Sequence, residues 1–444
     1  MPALKENEVE IVKVDQYKAE AISRLISGDY FKHLRGKKTI AIKPNWTLDK
    51  SKSGGGFEQI ITHGEVISAV INKLVRALDG GSRIVIAEGP DPEAQFNKII
   101  SHFPVDNWRK TAKRKKIDFE IIDLRDEIYL KSRGVILRKR RLNGDPAGAT
   151  TFNLKGKKSE FYKHQKSKRG YYGTEFDQRE TNKSHNGRDN LYVLSNTPLK
   201  ADFVINMPKL KTHKKTGLTG ALKNMVGITQ MRNLLPQHSE GTPDELGDQF
   251  PPSNKMRAAE SNLLAAFKKT ANTNKLTLHL SPLIKKLGEI IFGETSKTIR
   301  SGNWYGNDTA WRMVLDLNKI FLYCSKDLRL KKKKRQRQIT IMDAIIAGEG
   351  NGPLEATKKK VGYCIIGKNP VAVDTVCAHL MGFNFEKIPM IRNSYAISEM
   401  PLCNFKPQDI IVKVGGKSYR LDNIPKQFIK KLEPHFGWKG HIEK

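Results

Sequence analysis

Cysteine is scarce in this chain: 444 residues hold only Cys324, Cys364, Cys377 and Cys403, all far apart. No CxxC or CxxxC pair occurs, which argues against zinc ribbons and Cys-ligated iron–sulfur clusters. The spacing does not suggest a disulfide framework either, so reduced, intracellular thiols are the simplest reading. Long apolar runs are also missing. None approaches the roughly 18 residues a transmembrane helix needs, and the opening MPALKENEVEIVKVDQ has no signal-peptide h-region. A cytoplasmic location is the expectation. Aromatic residues make up 8% of the chain and are not interleaved with its basic blocks, which disfavours a stacking platform for single-stranded nucleic acid. Helix-turn-helix, zinc-finger and RRM signatures are absent. So are GxxxxGK[ST] and GxGxxG, which excludes a P-loop and an ordinary dinucleotide fingerprint. Without HExxH or GxSxG, those metalloproteases and the α/β-hydrolases are disfavoured as well.

Positive charge is abundant. The formal net charge is +33, part of it in the blocks Arg138–Arg141, Lys163–Arg169 and Lys331–Arg337. Such blocks are usually solvated loops, and they are also suited to RNA, DNA, an acidic polysaccharide or an anionic membrane surface. The hydrophobic share of 38% is modest, yet sufficient for a core at this length. The length itself allows two or three domains, or one large α/β domain with insertions.

Strand and helix patterns alternate along the first third. Lys38–Ile42, Ser82–Ala87 and Ile117–Leu124 read as strands, and Gly64–Leu78, Pro92–Phe103 and Asp106–Lys115 as helices. The spacing predicts an α/β fold: a mostly parallel sheet with helical crossovers. Residues 126–195 break the rhythm. They are rich in Lys, Arg, Gly, Asn and Tyr, and they predict a basic insertion of irregular or short antiparallel structure, less ordered than the sheet or forming a flap. The sheet resumes at Ala201–Asn206. A helical region follows, with Ser261–Thr270, Leu283–Ile291 and Ala310–Tyr323. Alternation returns with Ile339–Ala347, Val361–Ile366, the helix Val371–Met381 and Ile410–Val414. The expected units are 1–125 (first α/β part), 126–195 (insertion), 196–240 (central Lys/His motif), 241–335 (helical region) and 336–444 (last α/β part).

The most informative stretch is NMPKLKTHKKTGLTGALKNMVGI, Asn206–Ile228. An apolar run leads into a loop crowded with Lys209, Lys211, Thr212, His213, Lys214 and Lys215. A glycine-bearing turn follows, and then a short helix-like segment holding Lys223 and Asn224. Cations gathered where a strand gives way to a helix suit an anionic ligand, because helix N-termini already attract anions. Other apolar strands end similarly, in Lys43-Pro44-Asn45-Trp46, in Glu88-Gly89-Pro90-Asp91, in Gly348 to Pro353 with Glu349 and Asn351, and in Lys368-Asn369-Pro370 with Asp374 one turn later. In an open parallel sheet such loops share one edge, where ligands bind. The loops of Lys43, Glu88, His213, Glu349 and Lys368 are therefore expected to converge on one cleft. Each residue also has a plain structural reading: Asn45 and Asn351 can turn or cap, Glu88 can cap, and His63 suits a helix start. Asp374 lies in an apolar helix and needs a donor. Glu88, Asp91, Glu349 and Asp374 could share a divalent metal, but their spacing is not diagnostic.

The segments IKPNW (42–46), IAEGPDP (86–92), ADFVINMPKLKTHKKTGLTGALKNMVGI (201–228), IMDAIIAGEGNGP (341–353) and GKNPVAVD (367–374) resemble the DUF362 family of uncharacterised proteins. Many members of that family carry ferredoxin-like cysteine motifs, and this chain has none. A more distant likeness is to the nickel-pincer lactate racemase group, where a histidine, a glycine-bearing turn and a cofactor-carrying lysine follow in order. His213 and Lys223 stand in that order, and His238 follows in LPQHSEGTPDELGD. The likeness implies an acid/base role for His213, a cofactor-anchoring role for Lys223 and, more loosely, metal ligation by His238. What it implies is a working site, not racemase activity.

The resulting expectation is an enzyme-like α/β protein that takes a phosphate- or carboxylate-bearing small molecule at the carboxyl edge of its sheet. Lys43, Lys209, Lys211 and the helix starting near Leu218 would hold the anion. His213 would act as acid or base, and Lys223 as nucleophile or covalent anchor if burial lowers its pKa. Asn45, Glu88, Thr212, Asn224, His238, Glu349, Asn351, Lys368 and Asp374 complete the candidate set. The alternative is a basic module binding a polyanion. Substrate, cofactor and oligomeric state are left open.

Overall fold

The computed structural model describes residues 4–252 and 297–444, apart from 53, 55, 133, 134, 176 and 336, together with 259, 260, 262, 263, 266, 267, 283 and 286. Most of the helices expected over Ser261–Thr270 and Leu283–Ile291 lies outside the described residues.

The strand patterns assemble into one sheet of 11 strands. They are β1 (Glu8–Lys13), β2 (Thr39–Pro44), β3 (Arg83–Glu88), β4 (Asp118–Asp123), β5 (Phe203–Met207), β6 (Lys209–His213), β7 (Gly217–Thr219), β8 (Gln338–Asn351), β9 (Glu355–Gly367), β10 (Ile411–Val414) and β11 (Lys417–Arg420). Along the sheet the order is β11-β10-β1-β9-β8-β5-β2-β3-β4, with β6 and β7 attached to β8. From β8 through β5, β2 and β3 to β4 every neighbour is parallel. The pairs β8–β9, β9–β1 and β10–β11 are antiparallel. The sheet is thus mostly parallel, in an α/β fold.

Alternation along each strand sends successive side chains to opposite faces. Ile40, Ile42, Ile84, Ile86, Phe203 and Ile205 join one buried cluster together with the helices α1 (Gly64–Ala77) and α2 (Val105–Lys113). Ala41, Val204, Met342 and Ile365 join the other, with α3 (Ala221–Asn224), α4 (Ala310–Tyr323) and α5 (Pro370–Leu380). The result is three layers, with helices covering both faces of the sheet. The helix α1 starts on His63, whose Nδ1 accepts the Glu65 amide at 3.1 Å, so this histidine caps the helix.

Three features depart from the sequence pattern. The segment expected as a Lys/His loop is the antiparallel hairpin β6–β7, with Lys211 opposite Thr219 and His213 opposite Gly217. The reason is β8, which runs 14 residues and extends beyond the end of β5. Having left β5, the chain finds unpaired strand edge and pairs again, with Lys209 facing Asp343 and Lys211 facing Gly348. The insertion is also more integrated than its composition suggests. Short antiparallel ladders join 127–132 to 135–141 and 149–153 to 191–195, and Phe152, Leu154, Phe161, Tyr171, Tyr192 and Leu194 enter the core. Isolated aromatic and aliphatic residues, several of them on these short strands, do what a long apolar run would otherwise do. Finally, the helix expected over Pro92–Phe103 is confined to Phe96–Ile100.

Lys209 and Asp343 tie the hairpin to the sheet. Both side chains are fully buried and 2.9 Å apart. The same carboxylate accepts from the Tyr17 hydroxyl at 3.0 Å and the His63 amide at 2.9 Å. Removing one partner of such a pair leaves an uncompensated buried charge. Lys209→Met should therefore lower the unfolding free energy by about 3–5 kcal/mol. Adding Asp343→Asn, which removes the stranded charge but keeps an acceptor, should recover part of that loss in denaturant unfolding.

Candidate functional site

The strands β2 and β3 end side by side at the carboxyl edge of the parallel sheet, in Lys43-Pro44 and Glu88. Their terminal side chains form an ion pair of 2.8 Å in which both groups are almost wholly buried. The Glu88 carboxylate also accepts the Trp46 amide at 3.0 Å. Asn224, at the end of α3, locks onto this pair. Its amide oxygen accepts from Asn45 at 2.9 Å and from Lys43 at 3.3 Å, and its nitrogen donates to the Lys43 carbonyl and to Asn206. The backbone after α3 lies directly on the pair: a Cβ at Gly227 would stand 2.0 Å from the Glu88 carboxylate and 2.5 Å from Lys43 Nζ. Only glycine permits that approach.

Above this floor is a cleft of about 80 Å³, walled by Lys211 and His213 of β6, Thr219 of β7, Lys223, Arg232, the loop Gly89–Asp91 and Pro353. Alternation along β6 puts Lys209, Lys211 and His213 on one side of the strand and sends Leu210 to the core. A broader depression of about 470 Å³ lies beside β10 and β11, lined by Glu6, Asn7 and Asp409 among others. It is a shallow surface feature remote from this chemistry.

The basic groups of the cleft differ in how they are engaged. Lys211 Nζ donates to Thr47 Oγ1 at 2.8 Å and to the Ile60 carbonyl. Burial, then the nearby Lys209, holds its pKa well below the usual lysine range. The guanidinium of Arg232 donates to the Gly89 carbonyl, while its buried Nε has no hydrogen-bond partner among the described residues. Lys223 is partly buried and has neither a hydrogen bond nor an ion pair among the described residues. Its pKa is lowered to about 7, chiefly by burial and then by Arg232. His213 is buried, and its pKa lies well below the ordinary value because of burial first and the charge of Lys223 next. Its Nδ1 accepts the Lys215 amide at 3.1 Å, so the neutral ring carries its proton on Nε2. In that tautomer His213 presents a hydrogen-bond donor, where sequence reasoning expected an acid or base. Trp46 Nε1 and Thr219 Oγ1 are also buried without partners among the described residues.

Of the candidates named from sequence, the cleft brings together Lys43, Asn45, Glu88, Lys211, His213, Lys223 and Asn224. The others lie elsewhere. Lys209 belongs to the buried pair with Asp343. Thr212 points away from the cleft and donates to the Gly350 carbonyl at 2.8 Å. His238 pairs with Tyr172 in a short ladder and stands 3.1 Å from Lys215 Nζ. Glu349 accepts the Glu433 amide at 3.0 Å, and Asn351 sits at the β8–β9 turn opposite Glu355. Lys368 departs furthest from expectation. The strand before it, β9, is antiparallel to β8 and carries the chain back toward the edge where β5 begins. There Lys368 comes within electrostatic reach of His33, which packs on Phe203. Lys368 is therefore carried away from the cleft because β9 is antiparallel, whereas the loop holding Glu349 and Asn351 does reach the cleft but contributes only Pro353 to its wall.

Asp374 changes the reading of the helix. Its carboxylate accepts the Ala221 and Leu222 amides at 2.6 and 3.0 Å, so the N-terminus of α3, expected to hold an external anion, is occupied from within. A Cβ at Gly220 would lie 2.1 Å from that carboxylate. Burial raises the Asp374 pKa to about 7 against the pull of the two amides. Of the four carboxylates suggested as metal ligands, only Glu88 and Asp91 line the cleft. Among the described residues no group of three or more His, Cys, Asp or Glu could hold a metal ion, and all four cysteines are free and buried. Sequence reasoning missed Arg232 and Thr219 and quoted Trp46 without assigning it a role. The alternation K-L-K-T-H was the available signal that the lysines of β6 share one side of a strand.

Residues 162–379 match the family described as Domain of unknown function (DUF362). The matched segment includes the β6–β7 hairpin, α3 and α5, while Lys43 and Glu88 lie outside it. No curated protein matches the chain. No helix among the described residues is long and apolar enough to cross a membrane.

Gly227→Ala should break the Lys43–Glu88 contact and lower stability by about 3–5 kcal/mol. Thermal or denaturant unfolding would measure it, and an unchanged transition would mean that the backbone does not rest on the pair.

Proposed function

We propose that this chain, which belongs to the DUF362 family, binds a small phosphate- or carboxylate-bearing molecule in the cleft at the carboxyl edge of its sheet, and that the cleft is an enzyme site with Lys223 and His213 as working groups. The observation that supports this reading is the set of unspent donors around one small space. Arg232 Nε, Trp46 Nε1 and Thr219 Oγ1 are buried and lack partners among the described residues, the partly buried Lys223 on the same wall makes no hydrogen bond or ion pair with them, and His213 offers Nε2–H. Buried donors left unpaired cost about 1–3 kcal/mol each, and folded proteins leave few of them. An anion with several acceptor oxygens would satisfy such a set. The cations of the surroundings that are already spent, Lys43 on Glu88 and Lys209 on Asp343, serve the fold. The small, concave volume favours one compact anion over a polymer.

Three basic groups would then act in three different states. Arg232 stays charged and anchors the anion. Lys223, with a pKa of about 7, exchanges its proton near neutrality. His213 is neutral and donates a hydrogen bond to an oxygen of the ligand.

The pH dependence follows from the direction of the lysine shift. The cationic form of Lys223 attracts the anion, so its contribution to affinity is fully present below a pH of about 7 and is lost as pH rises through that value. Calorimetric titration with inorganic phosphate and propionate should show that decline. Lys223→Ala should weaken binding by about 10- to 100-fold, and Lys223→Arg should bind with a flattened pH profile, because arginine keeps its charge. Full binding by Lys223→Ala at acid pH would refute the assignment.

A further inference from the structure

We propose that Lys223 forms an imine with the carbonyl carbon of a small oxo acid held in the cleft, a compound bearing a ketone or aldehyde beside a carboxylate. The inference rests on the anion-binding reading and names its substrate class and chemistry. A lysine that only holds an anion needs a charge and a contact. Here Arg232 already supplies a permanent charge, with an uncommitted buried Nε–H on the wall of the same cleft. The neighbouring Lys211 is held through Nζ by Thr47 and the Ile60 carbonyl, and Lys43 is held by Glu88. Lys223 alone among these three lysines has no hydrogen bond or ion pair with the described residues. An amine without a partner, partly buried among cations, keeps a lone pair available near neutral pH. His213 complements it. With Nδ1 occupied by the Lys215 amide, its Nε2–H can donate to a carbonyl oxygen and make the carbon more electrophilic, but it cannot remove a proton through that atom.

The step balances without a further reactant. The neutral Lys223 nitrogen attacks the carbonyl carbon, the carbon–oxygen π bond breaks onto the oxygen that His213 hydrogen-bonds, and one proton passes from the attacking nitrogen to that oxygen to give the neutral carbinolamine. Loss of that hydroxyl with a proton from nitrogen releases one water and leaves the carbon–nitrogen double bond. Nothing is oxidised or reduced. Hydrolysis runs the same steps in reverse and frees the amine. The carboxylate of the oxo acid would pair with Arg232, which leaves the lysine for the carbon.

The test is reductive trapping on the full chain. The protein is incubated with pyruvate or glyoxylate, treated with borohydride, and examined by intact mass and peptide mapping. The expected result is one reduced adduct per chain on Lys223, absent in Lys223→Arg and formed on the order of tenfold more slowly in Arg232→Gln. Trapping confined to other lysines, or equal in wild type and Lys223→Arg, overturns the proposal. Propionate, which has the carboxylate but no carbonyl, separates the two readings. If propionate binds in a Lys223-dependent way and no adduct forms, the imine is refuted and the anion site stands. If propionate and phosphate both fail to bind and no adduct forms, both are refuted.

Discussion

The buried ion pair between Lys43 and Glu88 is the contact on which the cleft depends. Two charges removed from water at the ends of adjacent strands must satisfy each other and every nearby donor. That demand draws in the Trp46 amide and the side chains of Asn45 and Asn224, and it admits only a glycine where the backbone crosses at position 227. The segment from α3 to Ile228 is thereby held against the sheet edge, and Lys223 is carried to the cleft wall. The same rule of compensation disposes of other charges nearby. Lys209 is taken by Asp343, and the amides of α3 are taken by Asp374. The groups left over define the site.

A second constraint is geometric. The strand β8 is longer than the parallel strands beside it, and its free edge gathers β6 after β5 has ended. One extended strand thus carries the motif lysines and histidine past the ends of β2 and β3. The cleft lies outside the carboxyl ends of parallel strands, where open α/β sheets commonly place ligands. It departs from a simple version of that arrangement because one wall is a hairpin.

Environment separates basic side chains that look alike in the sequence. Lys211 is buried and tethered, Lys223 is partly buried and untethered, Arg232 remains a permanent cation, and His213 is a neutral donor fixed by one backbone amide. On the proposed reading, such groups placed side by side in different protonation states would let one site both hold an anion and exchange a proton near neutral pH.

Periodicity in the chain was enough to determine the α/β class, the parallel strands β2, β3, β4 and β5, the helices α1, α4 and α5, and the importance of the stretch from Asn206 to Ile228. These depend on local alternation and on apolar spacing, which a sequence displays directly. The direction of β9 is not local. Whether a strand returns parallel or antiparallel depends on its partners, and this removed Lys368 from the expected cleft. Nor could charge-pair assignments be read along the chain. Lys209 and Lys211 sit two residues apart on the same side of one strand, yet one meets Asp343, 134 residues away, and the other a threonine hydroxyl and a carbonyl. Only the tertiary structure decides which lysine meets a carboxylate, because a buried charge is settled by the groups that folding brings to it, and those lie far away in sequence.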